Sequence, residues 1–244
     1  MIHHALIFIF FISIYCIGQV NIEQYRDNNG LLKNQYHKVL DLSSEIQQGP
    51  YNMSSFGATY FKPFVLNKVQ GFFLTRINYG ESNGKAYKNH SFYHLRIFDT
   101  SKINALTPEA YMQYEQRLYS STQLRYLAGI GGRTTAHGLR LGASIMNEWV
   151  KEINQDIIVN YWRLSMYMAH STSFNQFNRV SGVIYFQPEL FNLNNIRYHF
   201  EGVYLSDISP RVSYRASAQA NLFSNSSVYS QTEWSIDTGF QFKF

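Results

Sequence analysis

The stretch EWSIDTGFQFKF, residues 233–244, decides the fold. Trp234, Ile236, Phe240, Phe242 and Phe244 stand at alternate positions, with Glu233, Ser235, Asp237, Gly239, Gln241 and Lys243 between them. A period of two belongs to a β-strand with one apolar and one polar face. Chain ends are ordinarily loose unless something ties them down. This one ends on an aromatic residue. Such a strand needs a neighbour to pair with and an apolar medium to face.

The alternation recurs upstream. Ile196, Tyr198, Phe200 and Tyr204 oppose Arg197, His199 and Glu201. Val212, Tyr214, Ala216, Ala218, Ala220 and Leu222 oppose Arg211, Ser213, Arg215, Ser217, Gln219 and Asn221. Ala110, Met112, Tyr114 and Leu118 oppose Glu109, Tyr111, Gln113, Glu115 and Arg117, and Leu124, Tyr126, Ala128 and Ile130 oppose Arg125, Gly129, Gly131 and Arg133. Noisier alternation runs near 36–47, 52–62, 68–79, 90–99, 137–149, 157–169 and 176–187. Turn-forming clusters separate these runs: QQGPYN, YGESNGKAYKN, DTSKINALTP, EINQD, HSTSF, LFNLNN, SDISP and FSNSSV. One segment, NALTPEAYMQYEQRL, also reads as a capped helix. The pattern predicts roughly twelve antiparallel strands of about ten residues or more, the signature of a transmembrane barrel. An up-and-down barrel with both ends on the periplasmic side needs an even number of strands.

A soluble sandwich or lipocalin-like barrel would give the same period with its apolar face inward. Several features favour the membrane version: long strands, no cysteine beyond Cys16, only 5 prolines and an aromatic last residue. A closed barrel pairs every backbone N–H and C=O, so hydrocarbon accepts it where it would reject a free edge. The terminal aromatics Trp234, Ile236, Phe240, Phe242 and Phe244 then read as the signal by which bacterial barrel-assembly machinery engages a substrate. In the finished barrel they would lie on the closing strand.

The start of the chain agrees with export. MIHH precedes ALIFIFFISIYCIG, an apolar run shorter than the ~20 residues of a spanning helix. Residues 1–18 are expected to be a signal peptide cleaved after Gly18 or Gln19, although its n-region carries only His3 and His4. Residues 19–35 would form a periplasmic segment and 36–244 the barrel. Acylation at Cys16 would require a small residue in place of Tyr15. Cys16 is the only cysteine, so the mature chain has no disulfide, cysteine zinc site or thiol nucleophile.

Three stretches carry a family resemblance: NYGESNGKAYKNHSFYHLRIF, EAYMQYEQRLYSSTQLRYLAGIGGR and GVIYFQP. They contain a His-Leu-Arg strand start (His94, Leu95, Arg96) and an acidic-aromatic-Gln strand (Glu109 to Gln113). An Arg-Leu-Gly-Gly-Arg strand (Arg125, Leu127, Gly129, Gly131, Arg133) and a Tyr-x-Gln-Pro segment (Tyr185, Gln187, Pro188) follow. In order and spacing the chain resembles the DUF481 family, the salt-induced, YdiY-like outer-membrane proteins, in their Bacteroidetes form. The resemblance implies an outer-membrane β-barrel, an osmotic link and no assigned catalytic residues.

The polar face is the candidate site. Arg76, His94, Arg96, Glu109, Glu115, Arg117, Arg125, Arg133, Arg140, Arg163, Arg179, Arg197, His199, Glu201, Arg211, Arg215, Glu233 and Asp237 are expected to line the lumen. Such a lumen either passes small solutes, with a bias to anions, or is filled by Arg–Glu pairs that leave no conduit. The outward Tyr and Phe read as interface girdles, with a hydrophobic or sugar ligand as the alternative. GIGGRTTAHG lacks the Gly-Lys-Ser/Thr ending of a phosphate loop. A barrel-embedded lipid hydrolase would need a Ser–His pair; His170 with Ser171 or Ser173, and His137, are the candidates, and no HExxH or Ser-centred elbow appears. NMS, NHS and NSS would be glycosylation sites only in a eukaryotic secreted protein. The net charge of +5 suits the anionic lipopolysaccharide surface, and no motif points to nucleic acid, a metal or a cofactor.

Overall fold

The computed structural model describes residues 38–48, 53–82, 85–99, 106–117, 122–136, 138–152, 156–224 and 232–244. The expected signal peptide and the segment at 19–35 lie outside these residues. Twelve strands follow in chain order: β1 (Val39–Gln48), β2 (Met53–Leu66), β3 (Val69–Ser82), β4 (Lys85–Asp99), β5 (Leu106–Arg117) and β6 (Thr122–Ala136). The second half is β7 (Leu139–Glu152), β8 (Val159–Ser173), β9 (Asn178–Pro188), β10 (Ile196–Ser209), β11 (Val212–Phe223) and β12 (Thr232–Lys243). Each strand pairs antiparallel with its neighbours in sequence, and β12 pairs with β1 to close the barrel. The closing register runs from Val39 opposite Lys243 to Gln48 opposite Trp234, so the C-terminal stretch is the closing strand.

Capped-helix spacing over NALTPEAYMQYEQRL gives way to β5. Its period-two alternation of Tyr111, Gln113 and Glu115 against Ala110, Met112 and Tyr114 matches a strand, and β4 and β6 supply the backbone partners. The cluster YGESNGKAYKN is mostly strand as well, because β3 runs to Ser82 and β4 starts at Lys85. Polar residues near a rim still complete backbone ladders, so composition alone places the turn too early. Among the described residues, tight turns join strands at the end of the barrel that holds Lys38 and Phe244. Asn67, between β2 and β3, takes a φ of 55° and Gly138, between β6 and β7, one of 77°, both in the left-handed region. The opposite end is the upper one.

The two faces separate as the alternation predicts. Outward positions such as Ile97, Met112, Ile130, Ile145, Ile184, Ile236 and Phe240 are exposed, while Arg96, Glu115, Arg125 and Glu148 are buried inside. All three tryptophans point outward near the upper strand ends: Trp149 in β7, Trp162 in β8 and Trp234 in β12. Outward rings also touch across strands, Phe73 to Tyr93 at 6.5 Å, Tyr93 to Tyr114 at 5.8 Å and Tyr114 to Tyr126 at 5.1 Å. An apolar outer wall with aromatics near a rim matches the boundary of a bilayer.

The inner face departs from the apolar-out rule in several places, with smaller buried clusters at Tyr167, Ala169, Val183 and Tyr185 and at Tyr111, Leu127 and Met146, and the largest in β1–β4. Val39, Phe61, Phe72, Leu74, Phe92 and Phe98 form a buried cluster inside β1–β4. In β3 both faces are therefore apolar: Phe72 and Leu74 inside, Phe73 outside. That arrangement is the source of the noise in the sequence pattern at 68–79.

Candidate functional site: a lumen of paired charges

Glu148 on β7 organises the upper lumen. It accepts hydrogen bonds from Arg125 on β6, from Arg163 Nε on β8 at 2.8 Å, and from Arg197 on β10. Arg163 is held further by its Nη atoms, which donate at 3.1 Å to the carbonyl oxygens of Gln187 and Asn195 and to Asn195 Oδ1. Three arginines from three strands thus converge on one carboxylate, and Arg125, Glu148 and Arg163 are each 0% exposed. Guanidinium suits this role because its planar fork presents several donors at once.

A second cluster forms around Glu115 on β5. Arg117 Nε donates to it at 2.7 Å, Gln113 Nε2 donates at 3.2 Å, and His90 Nε2 lies 3.2 Å away. Arg125 Nη1 lies 3.9 Å from Glu115, which joins the two clusters. Glu45 on β1 accepts from Asn78 Nδ2 at 2.5 Å, Ser55 Oγ at 3.3 Å and Gln219 Nε2 at 3.4 Å, drawing in β2, β3 and β11.

Lower in the lumen Arg96 pairs with Glu109 at 3.7 Å and lies over the Tyr111 ring at 4.9 Å. Tyr167 on β8 donates to Glu109 on β5 at 3.4 Å, a contact that spans the interior between strands that are not neighbours. Arg215 and Ser217 both bond Asp237, and Arg215 lies 3.8 Å from Glu201. Near the lower rim Lys243 Nζ donates to Asp207 at 2.6 Å. Inward rings stack among these charges: Phe72 on His94 at 5.5 Å, His94 near Tyr111 at 6.3 Å, and Tyr185 between Tyr167 at 5.3 Å and His199 at 5.6 Å.

Glycines make room for this filling. A Cβ on Gly142 would overlap the Tyr167 ring, and one on Gly129 would lie 2.5 Å from the Tyr111 ring. Each tyrosine therefore lies flat over a bare stretch of wall. The GIGG run of β6 is explained by that packing and by Gly131 abutting Ser144.

Of the residues expected to line the lumen, His94, Arg96, Glu109, Glu115, Arg117, Arg125, Arg133, Arg140, Arg163, Arg197, His199, Glu201, Arg215, Glu233 and Asp237 are buried inside. Arg76 and Arg179 are half-buried; Arg76 Nε donates to Thr59 Oγ1 at 3.1 Å. Arg211 corrects the expectation: it lies exposed in the turn between β10 and β11, because β10 ends at Ser209 and β11 begins at Val212. The residues expected to line the lumen did not include Glu148, Glu45, Asp41 and Lys243, all buried, although Lys243 stood on the polar face of the closing strand. Parity would have found Glu148, which is eight residues from Arg140 and so on the same face of β7. Glu148, Glu45 and Asp41 outnumber Lys243 among them and so reduce the excess of basic groups on which an anion bias would rest.

At the hydrolase candidates, His170 Nδ1 faces the Gly138 carbonyl oxygen at 3.2 Å, and Ser171 Oγ accepts from Arg140 at 3.3 Å. No Ser–His hydrogen bond is formed there among the described residues. His137 lies outside them.

Solved structures with the same fold are outer-membrane barrels. The chain matches the NanC porin with a TM-score of 0.56 at 10% identity, over 84% of this chain and 100% of that one. It matches an outer-membrane channel from Pseudomonas putida F1 with a TM-score of 0.57 at 5% identity, over 93% and 100%. The translocator domain of the autotransporter NalP from Neisseria meningitidis gives 0.51 at 9% identity, over 88% and 91%. Identities this low speak to the fold alone. No family model matches the chain, and no curated protein matches its sequence.

Proposed function

We propose that this chain is a bacterial outer-membrane barrel of the channel type whose lumen is closed at rest, with a non-enzymatic role in the envelope. One observation carries the reading: the charges that would line a conduit are spent on one another. A water-filled pore leaves its lining side chains wetted, yet Arg125, Glu148 and Arg163 have no exposed surface. Neighbours named as a porin and a channel support the channel class, and the apolar outer wall supports the membrane location. Export would use the signal peptide at residues 1–18, and the closing strand with Trp234, Ile236, Phe240, Phe242 and Phe244 would be what the assembly machinery engages. Membership of the DUF481 group is part of the same proposal; Arg125, Leu127, Gly129, Gly131 and Arg133 share the inward parity of β6.

The test is conductance of the purified protein in a planar bilayer. The expected result is a silent membrane at moderate voltage, together with faster gel migration of unboiled than boiled sample, as for a stable barrel. A sustained current through the unmodified protein would overturn the closed lumen. Solubility of the folded protein without detergent would overturn the membrane location.

A further inference from the structure

The outer wall is not evenly covered. Two adjoining hollows of about 480 and 380 Å³ run along β5 and β6, sharing Leu95, Met112 and Ala128 as lining. Ala110 and Ala128 form the floor, because their short side chains leave the wall bare between larger neighbours. Ile97, Ile130 and Ile145 border the lower part. Tyr93, Tyr114, Tyr126 and Trp149 border the upper part. We propose that this furrow is a binding site for one acyl chain of a phosphate-bearing membrane lipid in the leaflet at the upper end. The inference rests on the membrane reading above.

Dimensions set the occupant. From Ile130 to Tyr126 is four residues of β6, about 13 Å of strand. With strands tilted about 45° the furrow is roughly 10 Å deep along the membrane normal. One leaflet of hydrocarbon is about 15 Å thick, half of the ~30 Å core. The furrow therefore starts where aromatic residues sit at the interface and ends short of the midplane, the span of a single chain in one leaflet. Its walls along the lower part are apolar apart from Asn147, whose amide is bonded to Asn160, and a bilayer offers nothing but acyl chains to fill such a hollow at that depth.

The upper end is suited to the polar part of such a lipid. Asn160 faces outward there beside Trp149 and bonds Asn147, which stands lower, opposite Ala128: Asn147 Nδ2 donates to Asn160 Oδ1 at 3.2 Å and Asn160 Nδ2 to Asn147 Oδ1 at 3.0 Å. Both amides also bond backbone carbonyls, of Tyr161 and Glu148. Their donors are therefore spent within the wall, so the pair adds little polar demand to the furrow. Lys151, one third exposed, lies two residues beyond Trp149 and supplies a cation at headgroup level, 3.7 Å from Asp156. A second copy of the chain fits less well. A two-fold interface centred here would set furrow against furrow and leave a void, which packed interfaces avoid.

The experiment reconstitutes the full chain in vesicles of phosphatidylethanolamine and phosphatidylglycerol, extracts it in mild detergent and weighs it by native mass spectrometry. Ala128→Phe fills the furrow, and Ala218→Phe, outward on β11, serves as the control. The expected result is one retained phospholipid per barrel in the unmodified protein and in Ala218→Phe, with at least a tenfold loss of the lipid-bound species in Ala128→Phe. Equal retention in all three, or none in the unmodified protein, would overturn the site. A dimer abolished by Ala128→Phe would overturn it in favour of a subunit interface. Failure to enter vesicles at all would sink the membrane reading instead, so the two failures are distinct.

Discussion

Replacing Glu148 by Gln keeps the shape of the side chain and removes the charge on which Arg125, Arg163 and Arg197 converge. The arginines cannot give up their protons, so three buried cations would face a neutral amide, one end of which is itself a donor. Breaking a buried ion pair from one side costs about 3–5 kcal/mol, because the remaining charge is left without compensation. With a urea dependence of about 3 kcal/mol/M, the unfolding midpoint should fall by roughly 1–1.7 M, read from the heat-modifiable gel shift in vesicles. The same repulsion should part the arginines and admit water, so Glu148→Gln should give current in a planar bilayer where the unmodified protein gives none. A further variant separates network from packing. Removing the whole cluster together (Glu148→Leu with Arg125→Met, Arg163→Met and Arg197→Met) should be milder than the single change, because no charge is stranded. A Glu148→Gln protein that is silent in the bilayer and within about 1 kcal/mol of the original in stability would refute the idea that stranded charge makes Glu148 the keystone of the lumen.

Other changes test other parts of the barrel. Gly142→Val should destabilise by about 1–3 kcal/mol through collision with the Tyr167 ring, and Tyr167→Ser in the same chain should recover most of the loss in a urea titration. Gly239→Val should impair closure, because a Cβ there would overlap the Leu42 carbonyl oxygen on β1; a normal gel shift in the variant would contradict the β1–β12 register. Ile184→Arg, outward on β9, should cost about 2–4 kcal/mol if hydrocarbon surrounds that level, and almost nothing if water does.

The sequence carried the barrel because each strand repeats one physical rule, and the closing strand states it with least interference: Trp234 and Ile236 outside, Glu233 and Asp237 inside. It was less readable where both faces are apolar, as in β3, since the Phe61, Phe72 and Phe98 cluster is the largest of the apolar groups inside a mainly polar lumen. Glu148 was hidden for a related reason. On β7 the inward positions between it and Arg140 are Gly142, Ser144 and Met146, so the strand shows no charged stripe. Cross-lumen partners such as Tyr167 and Glu109 were beyond reach altogether, because their pairing depends on how the wall curves and on the bare surface that Gly142 leaves beneath the ring.

A polar filling also solves a problem that an apolar one could not. Within a bilayer, hydrocarbon lies on the outer side of the wall, so an apolar lumen would leave little to distinguish inside from outside. Shifting one strand by a single residue exchanges its two faces. For β7 that slip would carry Arg140 and Glu148 into lipid and Ile145 into the Arg–Glu cluster. Arg140 lies at the lower end of β7, where an arginine in lipid costs only about 0–1 kcal/mol, so the main penalty is the stranded guanidinium groups of Arg125, Arg163 and Arg197. That penalty outweighs the difference between adjacent registers in backbone hydrogen bonding, which is nearly nil because a slipped ladder forms almost the same bonds. The charges inside the lumen therefore also fix the register of the wall, and they need not stabilise the barrel outright to do so.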